Sequence, residues 1–150
     1  MASPVKHTPR SVLDAFYQAE REYMEAPPDK RDFSGMAATL SPNIHMEQTS
    51  ALPYAGTYVG LDGFQDWSRQ IADYFNVVDV QNSEIFEREG SDKIVVLSTV
   101  HYRVRKTGED LYFPHSQTFA IDVEKGQIKE IRPFNWDVYR LNKAIGYVPK

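Results

Sequence analysis

Two polar side chains on an otherwise apolar strand are the first candidates for chemistry. From Leu111 to Val123 the residues of one parity are Leu111, Phe113, His115, Gln117, Phe119, Ile121 and Val123. Alternate residues of a strand share a face, so this parity predicts a core-facing wall interrupted at His115 and Gln117. Such a wall suits a small-molecule pocket. A histidine placed there can take or give a proton near neutral pH, and burial favours its neutral, basic form. The plainer reading is a histidine satisfied by a backbone group, and Pro114 beside it allows a bulge that turns it outward. Gln117, and Gln48 on an earlier predicted strand, can donate and accept at once, which suits holding a carbonyl or enol; another side chain or a water is the plainer partner. Tyr102, Tyr54 and Tyr58 are candidate hydroxyl donors to a developing oxyanion, with aromatic packing as the alternative. Arg132, Asn135 and Asp137 close the last predicted strand, where Asp137 reads better as a helix cap.

Other chemistries find less support. His45 with Glu47 places two ligand types on one strand face, but no third ligand stands at a fixed spacing, so no metal site is predicted. His101, Arg103 and Arg105 share the parity opposite Tyr102 and read as an outer face. The chain has no cysteine, which removes thiol chemistry and disulfides. It has no phosphate-cradling glycine loop, no dinucleotide fingerprint and no serine in a nucleophile elbow. If the protein is an enzyme, cofactor-independent chemistry is what remains.

These residues need positioning elements. Residues 1–7 read as a flexible tail. Thr8-Pro9 opens a helix to about Glu25 with Val12, Phe16, Ala19 and Tyr23 as its apolar stripe, and Ala26-Pro27-Pro28 stops it. Asp32 is the expected cap of a second helix through Leu40. Ile44 to Thr49 reads as a strand carrying Met46 and Gln48 on one parity, and Ser50 to Gly60 as a loop. A third helix opens at Leu61-Asp62-Gly63, with Asp62 its expected cap and Phe64, Trp67, Ile71, Tyr74 and Phe75 as an aromatic-rich stripe. Strands are expected over Val77–Glu89 and Lys93–Lys106, then Leu111 onward and Gln127 onward, joined by Glu124-Lys125-Gly126-Gln127. On the second of these, Ser98, Val100, Tyr102 and Val104 face inward. A final helix runs from Trp136-Asp137 to about Ile145 and ends at Gly146. Helices followed by antiparallel strands make an α+β pattern.

Composition agrees with one globular domain over residues 1–150. The chain is 41% hydrophobic and 13% aromatic, as a packed core requires. Its 17 basic and 21 acidic residues leave a net charge of −4, with no basic run, which argues against nucleic acid or an anionic membrane as partner. MASPVKHTPR lacks the apolar core of a signal peptide, and no apolar run approaches the ~20 residues of a membrane span. A soluble, cytoplasmic protein is expected.

Two stretches carry a family resemblance: LPYAGTYVGLDGF (Leu52 to Phe64) and EKGQIKEIRPFNWD (Glu124 to Asp137). With the element order around them, the chain resembles the nuclear transport factor 2-like superfamily, and within it the SnoaL-like polyketide cyclase branch. The resemblance spans roughly Ser11 to Ile145. It implies a cone: a curved, mixed, mostly antiparallel sheet wrapped around three N-terminal helices, with a short C-terminal helix. It puts a pocket inside the cone, with Met46, Gln48, Val100, Phe119 and Asn135 from the strands, Tyr54 and Tyr58 from the loop, and Phe16 and Trp67 from the helices as substrate contacts. His115, Tyr102 and Gln117 become the catalytic candidates. Val100 stands where relatives place an acid, and that strand carries no inward carboxylate. The resemblance implies a small enzyme that cyclises, isomerises or dehydrates a hydrophobic, oxygenated polyketide or terpenoid intermediate, and a homodimer by the fold's habit. The other class of function is a binding or protein-interaction module of the same fold. A cone filled by Phe16, Trp67, Phe113 and Phe119 favours the module; an open cavity with His115 lining it favours the enzyme.

Overall fold

The computed structural model describes residues 6–150. Helix α1 (Pro9–Glu25) begins with a reciprocal cap: the Ser11 N–H donates to Thr8 Oγ1 at 3.0 Å and the Thr8 N–H to Ser11 Oγ at 2.9 Å. Most of the expected tail lies outside the described residues. His7, its last residue, packs over Gly126, with its ring 2.6 Å from where a Cβ would stand. That contact and a φ of +65° favour glycine in this turn.

The second helix is shorter than its sequence implies. Helix α2 covers only Ser34–Ala37, and Asp32 accepts from the Ser34 N–H at 2.9 Å just ahead of it. The reason is sheet pairing: the Thr39 carbonyl accepts from Ile128 at 2.8 Å, so Leu40 already belongs to strand β1 (Leu40–Gln48). The expected loop contains a short edge strand, β2 (Gly56–Val59), paired antiparallel with β1. Four residues, inside a stretch otherwise rich in turn formers, are too few for a strand pattern to show. Helix α3 (Gly60–Tyr74) starts after Val59 without a side-chain cap, so Asp62 does not serve as one. Strands β3 (Phe75–Glu87), β4 (Lys93–Val104), β5 (Asp110–Asp122) and β6 (Gln127–Asn135) follow. Helix α4 (Val138–Ile145) is capped by Asp137, which accepts from the Arg140 N–H at 2.9 Å, and it ends on left-handed Gly146.

One six-stranded sheet runs in the order β2-β1-β6-β5-β4-β3, antiparallel except for β1 against β6. Bulges interrupt β3 between Gln81 and Glu84, where Asn82 takes a left-handed φ of 53°, and β6 at Lys129, opposite Ala120 and Ile121 of β5. Such bulges bend long strands and let the sheet curl over its helices. The concave face buries Leu111, Phe113, His115, Gln117, Phe119 and Ile121 of β5, as the alternation requires; Val123, just past the strand end, is exposed. Phe16, Phe64 and Trp67 join α1 to α3 with ring centroids 6.1 and 5.0 Å apart. Arg105, expected on the outer face, instead clasps the helix ends. Its guanidinium donates to the carbonyls of Ala72 at 2.8 Å and Met24 at 2.7 Å, and Arg31 joins it on the Ala72 carbonyl at 3.2 Å. No helix among the described residues is long and apolar enough to cross a bilayer.

Candidate active site

A cavity of about 30 Å³ lies between the concave face and helices α1 and α3. That is room for one or two waters and far below the several hundred Å³ of a typical ligand pocket. The sheet brings most of the expected residues to it: Met46 and Gln48 from β1, Val100 and Tyr102 from β4, His115 and Gln117 from β5, Asn135 from β6. Phe16, Trp67 and Tyr54 join them from α1, α3 and the loop before β2. Two expected contacts lie elsewhere. Tyr58 sits on the edge strand and donates its hydroxyl to the Tyr54 carbonyl at 2.9 Å. Phe119 lies beyond Gln117 along β5 and packs edge-on against Tyr17, centroids 6.4 Å apart.

His115 is held without being satisfied. It stands between Ser98 on β4 and Asn135 on β6, in a β4–β5 ladder that runs unbroken past Pro114, so the proline does not turn it outward. The side chain is buried, and its Nδ1 has no hydrogen-bond partner. Burial pushes its pKa down to about 4, so the ring is neutral and basic at pH 7.

The neighbouring polar groups are mostly committed. Gln117 Oε1 accepts from the Tyr17 hydroxyl at 2.7 Å, which answers what satisfies that glutamine. The Tyr102 hydroxyl donates to Asn135 Oδ1 at 3.3 Å, and Asn135 Nδ2 donates to Thr49 Oγ1 at 2.9 Å. This chain ties β4, β6 and the end of β1 together. Gln48 Oε1 accepts from the Thr49 N–H at 2.9 Å. Burial raises Tyr102 and Tyr54 above the usual phenol range and keeps both hydroxyls protonated.

The sequence reading misses one group. Glu20 on α1 lines the cavity, is buried and forms no ion pair among the described residues. Burial, aided by Asp79 and opposed by Arg21, raises its pKa to about 8. Its carboxyl is therefore largely protonated at pH 7. The signal was present: Glu20 follows Val12 and Phe16 at intervals of four, on the buried stripe itself. The cavity thus has a carboxyl on a helix and none on the inner parity of β4. Trp67 Nε1–H is also buried without an acceptor, a state that costs about 1–3 kcal/mol unless a ligand or water relieves it.

The outer-face pairs are of another kind. His45 Nε2 lies 3.7 Å from Glu47, which accepts from Arg132 at 3.1 Å, all on the solvent side of the sheet. Among the described residues no three His, Cys, Asp or Glu side chains converge to hold a metal ion. Inside, a neutral base on β5 and a protonated carboxyl on α1 face one cavity, an arrangement that can move protons in both directions at neutral pH.

Architecture and cavity define the cone-shaped NTF2-like class, and comparison with known proteins agrees. The model of the SnoaL-like domain matches residues 20–131, and the chain belongs to that family. A search of the curated proteins finds no match. Among solved structures the chain is similar to TerC co-crystallised with polyporic acid, at TM-score 0.73 and 15% identity, covering 91% of this chain and 97% of that one. An NTF2-like protein of unknown function from Burkholderia pseudomallei aligns at TM-score 0.71 and 19% identity over 91% and 95% of the two chains. A candidate polyketide cyclase from Xanthomonas campestris pv. campestris aligns at 0.66 and 16% over 91% and 93%. At these identities the likeness is one of fold.

Proposed function

We propose that this protein is a cofactor-independent enzyme that moves protons on a hydrophobic, oxygenated small molecule of polyketide or terpenoid type. The outcome is a cyclisation, an isomerisation or a dehydration. One observation carries the reading: His115, buried and neutral, lines the cavity, and its Nδ1 has no hydrogen-bond partner. A purely structural histidine is normally given a partner. Met46, Phe16 and Val100 supply the apolar walls; the side-chain N–H groups of Gln48 and Gln117 orient the substrate's oxygens, and Tyr102 holds Asn135 in place beside them. The co-crystallisation of TerC with polyporic acid and the polyketide cyclase name given to the Xanthomonas protein support a small-molecule substrate. The test is a metabolite profile with the gene deleted, restored, and restored as His115→Ala. An accumulating isomer of the product identifies a cyclase or isomerase, and a compound heavier by one water a dehydratase. Full function from the His115→Ala gene overturns the assignment.

The narrowness of the cavity supports the second reading, a binding or interaction module, because a polyketide-sized ligand enters only if the wall side chains move. The two differ in one measurement: the enzyme converts the accumulated compound in vitro, and the module only binds it. Either protein is expected to be a homodimer. Phe86, Val95, Leu97 and Phe134 are exposed on the convex face, a patch suited to a second copy. Sedimentation at micromolar concentration returns twice the 17.2 kDa chain mass if so.

A further inference from the structure

Two residues that line the cavity from the helices, Glu20 and Trp67, have no part in the role of His115. Trp67, on α3, presents an indole N–H that is buried and meets no acceptor. That group can only donate. Glu20, on α1, presents a carboxyl with no cation to pair with it among the described residues. Asp79 on β3, Arg21 beside it on α1, Tyr17 and Tyr102 are the charged or titratable groups that act on it, and none neutralises it as an ion pair. The hydroxyls of Tyr17 and Tyr102 are already donated, to Gln117 and Asn135. The helical wall therefore holds two free, uncharged donors, and the strand opposite holds a free base.

We propose that Glu20 and Trp67 together bind the acceptor oxygen of an uncharged substrate, and that Glu20 is the catalytic proton donor to that oxygen. The proposal rests on the acid–base reading above. The step balances without a co-reactant. His115 Nδ1 takes a proton from the carbon beside a carbonyl, and that C–H pair becomes a C=C bond. The carbonyl π pair moves to oxygen, which takes the Glu20 proton. Return of the enol proton to Glu20, and of the imidazolium proton to carbon, restores both side chains. The same geometry selects by charge. A carboxylate entering this cavity finds donors but no cation, and the lost hydration is not replaced.

The probe is acetone, with acetate as its charged counterpart, added to the isotope-labelled protein. The chain has two tryptophans, so two indole N–H resonances are followed; Trp67 is 4% exposed and Trp136 75%. Acetone is expected to shift the Trp67 resonance downfield in a saturable way and to leave Trp136 in place, while acetate moves neither. Glu20→Leu, which fills the site with an apolar group, weakens acetone binding by about fivefold or more, as loss of one hydrogen bond predicts. Glu20→Gln keeps a donor and stays within about twofold of the wild type, a difference well under 1 kcal/mol. A Trp67 resonance indifferent to acetone, an equal response to acetate, or unchanged binding in Glu20→Leu overturns the proposal. Deuterium exchange at the acetone methyl groups separates the two readings. If Trp67 and Glu20 respond as expected and His115→Ala leaves exchange unaltered, the donor pair stands and the assignment of His115 falls.

Discussion

Two histidines on neighbouring strands show what each face of the sheet is for. His101 on β4 points outward: its Nε2 lies 2.7 Å from Asp110, which also accepts from Arg103 at 2.9 Å, and its ring stacks on Tyr112 at 4.3 Å. His115 on β5 points inward with Nδ1 unpartnered. One residue type is locked into a network on the outside and left free on the inside. Folding alone favours the locked arrangement, because an unmet buried nitrogen is a cost. The free one is the feature on which the proposed role of His115 rests. The largest expected effect follows. Against the substrate identified by metabolite profiling, His115→Ala lowers turnover by roughly 10²- to 10⁴-fold, the usual worth of a general base, whereas His101→Ala leaves it within about threefold. Equal losses in the two variants erase the distinction.

The same contrast governs stability. Phe16 fills the cone between Phe64 and Tyr17, while Phe134 lies half-exposed on the outer face. Phe16→Ala is expected to cost about 3–5 kcal/mol in urea unfolding, and Phe134→Ala about 0.5 kcal/mol or less. A large loss at Phe134 points to a partner covering that face.

Glu20 and Glu47 form the third pair. Glu47 is half-exposed and meets Arg132, whereas Glu20 is buried without a cation. In the unfolded chain the Glu20 carboxyl ionises near 4.5; in the fold its pKa is about 8. Between these values the unfolded chain has released a proton that the folded chain keeps, so stability falls as pH rises and levels off above 8. The slope is on the order of 1.4 kcal/mol per pH unit. Glu20→Gln removes it, so the variant gains on the wild type from pH 4.5 to 8. His115 acts with opposite sign: its stabilising contribution is complete above 6.5 and is lost as pH falls toward 4. A constant difference between Glu20→Gln and the wild type across pH 4.5–8 shows that the carboxyl is not held neutral.

The outline of the fold was legible because its signals are local. Strand alternation placed Val100, Tyr102, His115 and Gln117 on one wall, and Thr8-Pro9, Asp137 and Gly146 marked helix ends. What failed depended on pairing. Leu40 left its helix because Ile128, far along the chain, claimed it for the sheet, and Gly56–Val59 is a strand only because β1 lies beside it. Tyr58 and Phe119 have the right residue types but stand beyond the cavity's ends, a matter of depth that alternation does not report. Glu20 was missed for another reason. A search for acids confined to strands passes over a carboxylate on the apolar stripe of a helix, although an acid on such a stripe is the anomaly that sequence can show.

The smallest effect probes the outer face itself. Arg132 and Glu47 lie 3.1 Å apart with both side chains about half-exposed. An exposed pair exchanges hydration for a weak Coulomb gain and loses side-chain entropy, so a double-mutant cycle of Arg132→Ala and Glu47→Ala should return a coupling of about 0.2–1 kcal/mol that shrinks with salt. The cycle becomes informative when run at two protein concentrations. In a monomer the coupling is the same at both. If a second copy covers the convex face, association removes water from the pair, and the coupling rises with concentration and resists salt. A coupling fixed near zero at every concentration means that the outer face stays wet, and the case for a homodimer through this sheet is lost.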